Sequence, residues 1–159
     1  MIGIILAAVI AASPTVPASL AQPSPNIQAA YEARTIPAPW HAFTECISAR
    51  ESGWGRTPDP MKSYRAANPS SSAQGRYQFL DRSGWREGGS WNVFKRLIRH
   101  GYDRDTAKRV RARLAATPIR DWKPVYQDIA YAEALLSGDG YGWRHWHLAG
   151  SPCNRLVPA

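Results

Sequence analysis

Between Trp40 and Ser52, apolar and polar positions recur with the period of an α-helix. At about 100° of turn per residue, Trp40, Phe43 and Ile47 share one narrow arc, while His41, Glu45, Ser48 and Ser52 fall opposite. Glu51 falls on the apolar arc. The pattern predicts an amphipathic helix with an acid on its core-directed face. Gly53 follows as a natural C-terminal cap.

The next residues, "WGRTPDPMK", read as a loop punctuated by Pro58 and Pro60. Tyr64 to Ala67 and Arg76 to Leu80 are short and partly β-like, with turn chemistry in "NPSSSAQG" between them. They predict a small β-hairpin, or an irregular equivalent, beside the first helix. Beyond them the period is helical. Asp81 or Ser83 caps a short helix containing Trp85, closed by Gly88 and Gly89. Ser90 caps a second, with Trp91, Phe94, Leu97 and Ile98 on one face and Gly101 after it. Asp103 caps a third, with Ala107, Val110 and Leu114 inward. Pro124 opens a fourth, with Val125, Ile129, Ala132 and Leu136 inward and Gly138 after it. The tail "GYGWRHWHLAGSPCN" is loop-like and aromatic, and no segment repeats. The expected class is mostly α, an α+β fold with one minor β element.

Composition divides the chain. Its 159 residues suit one domain. Residues 1–21 read as a signal peptide: the apolar run from Ile2 to Ala12 is too short to span a bilayer, and Ser19 and Ala21 are small where a signal peptidase cuts. No basic side chain precedes that run. Residues 22–39 are proline-rich and read as a tether, with one or two helical turns inside "NIQAAYEAR". Residues 40–154 form the expected domain, long enough for a real core. In an exported chain, Cys46 and Cys153 predict a disulfide. Closing a loop of that length stabilises by about 4 to 5 kcal/mol in the chain-entropy model, usually less in practice. The net charge of +8 favours polyanions at a cell surface. Nucleic acid fits on charge alone and is not an expected partner of an exported protein.

A carboxyl group turned toward a core loses hydration, which favours its protonated form. That is the state a general acid needs, and glycosidases use it to protonate a leaving oxygen. The plainer alternative is a surface glutamate paired with Arg50 or Arg56.

Four ordered elements make a resemblance specific. They are Glu51-Ser52-Gly53, Asn68-Pro69, Gly75-Arg76-Tyr77-Gln78 and Trp85. With "YQDIAYAEALLSGDGYGWRHW" and Cys153 after them, residues 40–153 resemble the lysozyme-like transglycosylase superfamily. Soluble lytic transglycosylase domains and resuscitation-promoting-factor-like domains belong to it. Two features depart from the pattern. The first cysteine lies five residues before the glutamate rather than beside it, and the basic stretch from Phe94 to Pro118 is extra.

The resemblance implies a lysozyme-like fold and cleavage of the bond between N-acetylmuramic acid and N-acetylglucosamine in peptidoglycan. Glu51 would act first as acid, then as base. In a lytic transglycosylase it activates the muramyl 6-hydroxyl and leaves a 1,6-anhydro end; in a hydrolytic muramidase it activates water. No metal or organic cofactor is implied. The expected partners are glycan strands and anionic wall polymers, met by a secreted or wall-associated monomer with no stable membrane insertion after signal cleavage.

Gln78 stands where these families place an amide beside the acid, and an amide both donates and accepts. Asn68 shapes the turn before Pro69 or touches sugar. Tyr64 and Tyr77 stack on sugar rings or simply pack. A second catalytic carboxylate would have to come from Asp59, Asp81, Glu87 or Asp128, and none is convincingly placed, which favours a single-acid mechanism. The helix from Arg104 to Arg113 is a solvated face or attracts anionic polymer. His41, His100, His145 and His147 lack metal-ligand spacing. A wall-binding protein that turns nothing over remains the alternative from another class.

Overall fold

The computed structural model describes residues 24–53, 59–137 and 142–159. The expected signal peptide and the loop residues Trp54, Arg56 and Pro58 lie outside the described residues, as does Gly138. The described chain is mostly helical with one two-stranded antiparallel sheet. No described helix is long and apolar enough to cross a membrane.

Helices α1 (Pro25–Ala33), α2 (His41–Ser52) and α3 (Pro60–Tyr64) come first. Strands β1 (Ala73–Gln74) and β2 (Phe79–Leu80) follow, in the register Ala73 to Leu80 and Gln74 to Phe79. Ala67 bridges Gln74 on the other edge. A π-helical turn, Asp81–Trp85, leads into α4 (Arg86–Arg99), then α5 (Arg104–Ala115) and α6 (Pro124–Leu136). Two 3₁₀ turns, Gly142–Trp146 and Pro152–Leu156, shape the tail.

Helix α6 is the axis of the core. Every residue from Gln127 to Leu135 is buried, as a helix apolar on nearly all sides should be. Phe43 and Ile47 of α2, Val93 and Leu97 of α4, Leu114 of α5 and Phe79 of β2 join the same cluster. The buried Gln127 amide is satisfied. Gln127 donates to the carbonyls of Tyr64 (2.9 Å) and Ile119 (3.0 Å) and accepts from the Arg76 N–H (3.0 Å). The expected disulfide is present: Cys46 and Cys153 are bonded, with Cα atoms 5.6 Å apart.

Several expected boundaries hold. Asp103 caps α5 by accepting the Thr106 N–H at 2.8 Å, Pro124 opens α6, and Gly53 ends α2 at φ +70°. Four others are corrected. Tyr64 closes a helix rather than a strand. Ser48 is buried, not outward, and donates to the Thr44 carbonyl. Gly88 and Gly89 do not break α4, which runs straight through them. A Cβ on Gly89 would lie 3.2 Å from the Trp122 ring, so the bare glycine lets that indole pack close. The buried face of α4 is Gly89, Ser90, Val93, Arg96 and Leu97, leaving Trp91 exposed under the Arg111 guanidinium.

The proline-rich tether is a further correction. Part of it is α1, which docks on α4 and α6 with Ala29 and Ala33 buried. Arg96, itself buried, donates to the carbonyls of Ala33 and Thr35 and so satisfies the C-terminal end of that helix. Arg34 pairs with Asp128 at 3.2 Å. The packed unit thus starts before Trp40.

Candidate active site

Glu51 occupies the last turn of α2, just before the left-handed Gly53 turns the chain away. Its side chain is 24% exposed. It lies on the rim of a cleft of about 380 Å³, with Arg50, Asn68, Gln78, Leu80 and residues His145 to Leu148. The inward acid of the sequence pattern is therefore half-buried beside a cleft, not sunk in the core. Of the two arginines considered as partners, Arg50 contacts it, and Arg56 lies outside the described residues. Both Arg50 Nε (2.8 Å) and Nη2 donate to Glu51 Oε1.

Arg50 is itself held by the tail. Its Nη1 donates to Ser151 Oγ at 2.9 Å and its Nη2 to the Trp146 carbonyl at 2.6 Å. The disulfide joins α2 to the same tail one turn before Arg50. That tether is why groups about a hundred positions apart in sequence meet at Glu51.

The hairpin builds the opposite wall. Asn68 Oδ1 accepts the Ser70 N–H at 2.8 Å, and the Asn68 N–H donates to Ala73 at 2.9 Å. Asn68 therefore shapes the turn and also lines the cleft. Gly75 and Gln78 both take positive φ, +78° and +51°. This tight turn aims the Gln78 side chain at the cleft, where its amide donates to the Gly75 carbonyl at 3.0 Å. Glu51, Asn68 and Gln78 are thus brought together.

Tyr64 and Tyr77 are not. Both are buried, so neither presents a ring face to a sugar. Their hydroxyls donate to Asp128, at 2.9 and 3.0 Å, and the Tyr77 ring stacks on Tyr131. Burial pushes both phenols above their ordinary range, with the Asp128 charge adding to it. The same burial raises the Asp128 carboxyl, although the two hydroxyls and Arg34 oppose it. Arg76 stacks on both rings and donates to Tyr64 Oη at 2.7 Å. These groups form a polar spine behind the hairpin.

The other candidate carboxylates do not line the cleft. Asp59 caps α3 through the Met61 N–H. Glu87 pairs with Arg111. Asp81 is buried, paired with Arg86, and accepts the Ile119 N–H at 3.1 Å. Burial alone would raise the Asp81 carboxyl, but these hydrogen bonds outweigh it and hold it below the ordinary range. Among the described residues, Glu51 is the one carboxylate lining the cleft.

Two further depressions share wall residues with the cleft. Asn68 and Ala73 also line a depression of about 570 Å³ that runs along Ser70 to Gln74 to Arg120. His145 also lines one of about 360 Å³ with Trp85, Asn92 and Ser137. Sequence reasoning weighed His145 and His147 only as metal ligands and did not place them beside Glu51. The signal was their position in an aromatic tail that the disulfide pins to α2. Among the described residues, no three His, Cys, Asp or Glu side chains cluster as a metal site.

No protein-family model matches the chain, and no match is found among curated proteins or solved structures.

Proposed function

We propose that this chain is an exported enzyme that cleaves peptidoglycan between N-acetylmuramic acid and N-acetylglucosamine, with Glu51 as its single acid and base. The observation that carries the reading is that Glu51, among the described residues, is the one carboxylate lining a cleft that Gln78 and Asn68 also line. The polar walls of the cleft and its neighbouring depressions suit a glycan strand, and Trp85 and His145 line one of those depressions. The ordered motif shared with lysozyme-like transglycosylases supports the same chemistry.

The steps follow from one carboxyl group. Protonated Glu51 gives its proton to the glycosidic oxygen as the C1–O bond breaks, and the leaving sugar departs as an alcohol. The carboxylate then takes the proton from the muramyl 6-hydroxyl, whose oxygen bonds to C1 and closes a 1,6-anhydro ring. With no second carboxylate in the cleft among the described residues, the substrate supplies its own nucleophile. Release of soluble muropeptides from purified sacculi tests the reading: wild type releases them and Glu51→Gln does not. Equal release by both proteins rejects it.

One observation favours a rival. Glu51 is engaged by Arg50, as a structural ion pair would be. A wall-binding protein without turnover has that signature, and it would hold sacculi tightly while creating no new chain ends.

A further inference from the structure

We propose that Arg50 is a positioning residue, anchored by the tail, that fixes the Glu51 carboxyl and stabilises it once its proton has left. The claim rests on the catalytic reading of Glu51 given above.

The geometry is a fork with three separate partners. Nε and Nη2 meet Glu51 Oε1, Nη2 also meets the Trp146 carbonyl at 2.6 Å, and Nη1 meets Ser151 Oγ at 2.9 Å. A surface pair between adjacent side chains would leave both free to swing. Here the guanidinium is held from the far side by two groups that belong to another part of the chain. Ser151 Oγ in turn accepts the N–H of the disulfide-bonded Cys153 at 3.3 Å. The order of support runs from the disulfide to Ser151, to Arg50, to one carboxyl oxygen of Glu51.

Both Arg50 contacts land on Oε1, so Oε2 is the atom that serves the glycosidic oxygen. As the proton leaves Oε2, negative charge develops on the carboxylate, and the fixed guanidinium is already aimed at it. A preorganised charge of this kind needs no reorganisation during the reaction. Lysine cannot replace it, because an ammonium lacks the planar fork.

The test uses the oxidised protein and three variants, Arg50→Gln, Arg50→Lys and Ser151→Ala. Carbon-13 NMR of labelled glutamate at one pH reports the surroundings of the Glu51 carboxyl, and the rate of muropeptide release gives kcat and KM. In Arg50→Gln the Glu51 carboxyl signal shifts. The kcat of that variant falls by about a hundredfold with KM little changed. Arg50→Lys does not restore the rate, and Ser151→Ala lowers kcat in the same direction, by less. A Glu51 carboxyl signal unmoved in Arg50→Gln overturns the proposal. So does a rate loss that only tracks a lower melting temperature. Turnover by Glu51→Gln overturns the catalytic reading, and is told apart because the carboxyl signal does not depend on activity.

Discussion

Gly75 and Gln127 fit against each other with no room for a side chain between them: a Cβ on Gly75 would lie 2.4 Å from Gln127 Oε1. Gly75 sits at φ +78°, a left-handed conformation that also excludes most residues. Gln127 cannot yield, since its amide bridges Tyr64, Ile119 and Arg76. Gly75→Ala is expected to destabilise by about 2 to 4 kcal/mol, measured by urea unfolding. A loss under about half a kcal/mol would mean that the turn under Gln78 is not fixed by this contact.

Arg96 is what turns the expected tether into a docked helix. Arg96→Ala leaves the Ala33 and Thr35 carbonyls without their donor and takes one cation from the buried Glu133. Loss of one partner from such a buried set costs about 3 to 5 kcal/mol. Amide exchange should show it as faster exchange across Pro25–Ala33 ahead of the rest of the chain. Unchanged protection of that helix would show that Ala29 and Ala33 hold it without Arg96.

Two buried aspartates should give stability opposite dependences on pH. Asp81 is held below the ordinary carboxylate value of about 3.9. Its contribution is therefore present above that value and is lost as pH falls through the lower folded one. Asp128 is held above the ordinary value by burial. The folded state keeps its proton longer than the unfolded chain, so stability falls as pH rises from about 4 through the folded value. Urea unfolding between pH 3 and 7 should show the cost of Asp81→Asn shrinking toward acid. The stability of Asp128→Asn relative to wild type should improve as pH rises.

Much of this fold is written in short-range signals. Asp103, Pro124 and Gly53 each act within one turn of their own position, so capping chemistry suffices to place them. What the sequence hid depends on distant partners. Tyr64 and Tyr77 read either as sugar platforms or as packed rings, and the acceptor that lets their hydroxyls be buried, Asp128, lies on α6. Gly88 and Gly89 read as a helix stop because glycine costs about 1 kcal/mol in a helix, and the packing of Trp122 that offsets it comes from beyond α5. The candidate site divides the same way. Glu51, Asn68 and Gln78 were legible from motif order; Arg50's anchors, His145 and His147 came into view only once the disulfide had brought the tail to α2.

That disulfide closes a loop over a sequence separation of 107. Replacing both Cys46 and Cys153 with serine is expected to cost about 2 to 4 kcal/mol. The activity should fall further than the folded fraction does, because Arg50 loses its fixed anchors at Trp146 and Ser151. Activity that simply follows the folded fraction would separate the bridge from the site.

Mass spectrometry of the chain ends released from purified sacculi tests the central claim most directly. The account predicts muramyl ends lighter by one water than hydrolytic ends from wild type, and no new ends from Glu51→Gln. Intact sacculi after incubation with wild type, or the same products from both proteins, would contradict it.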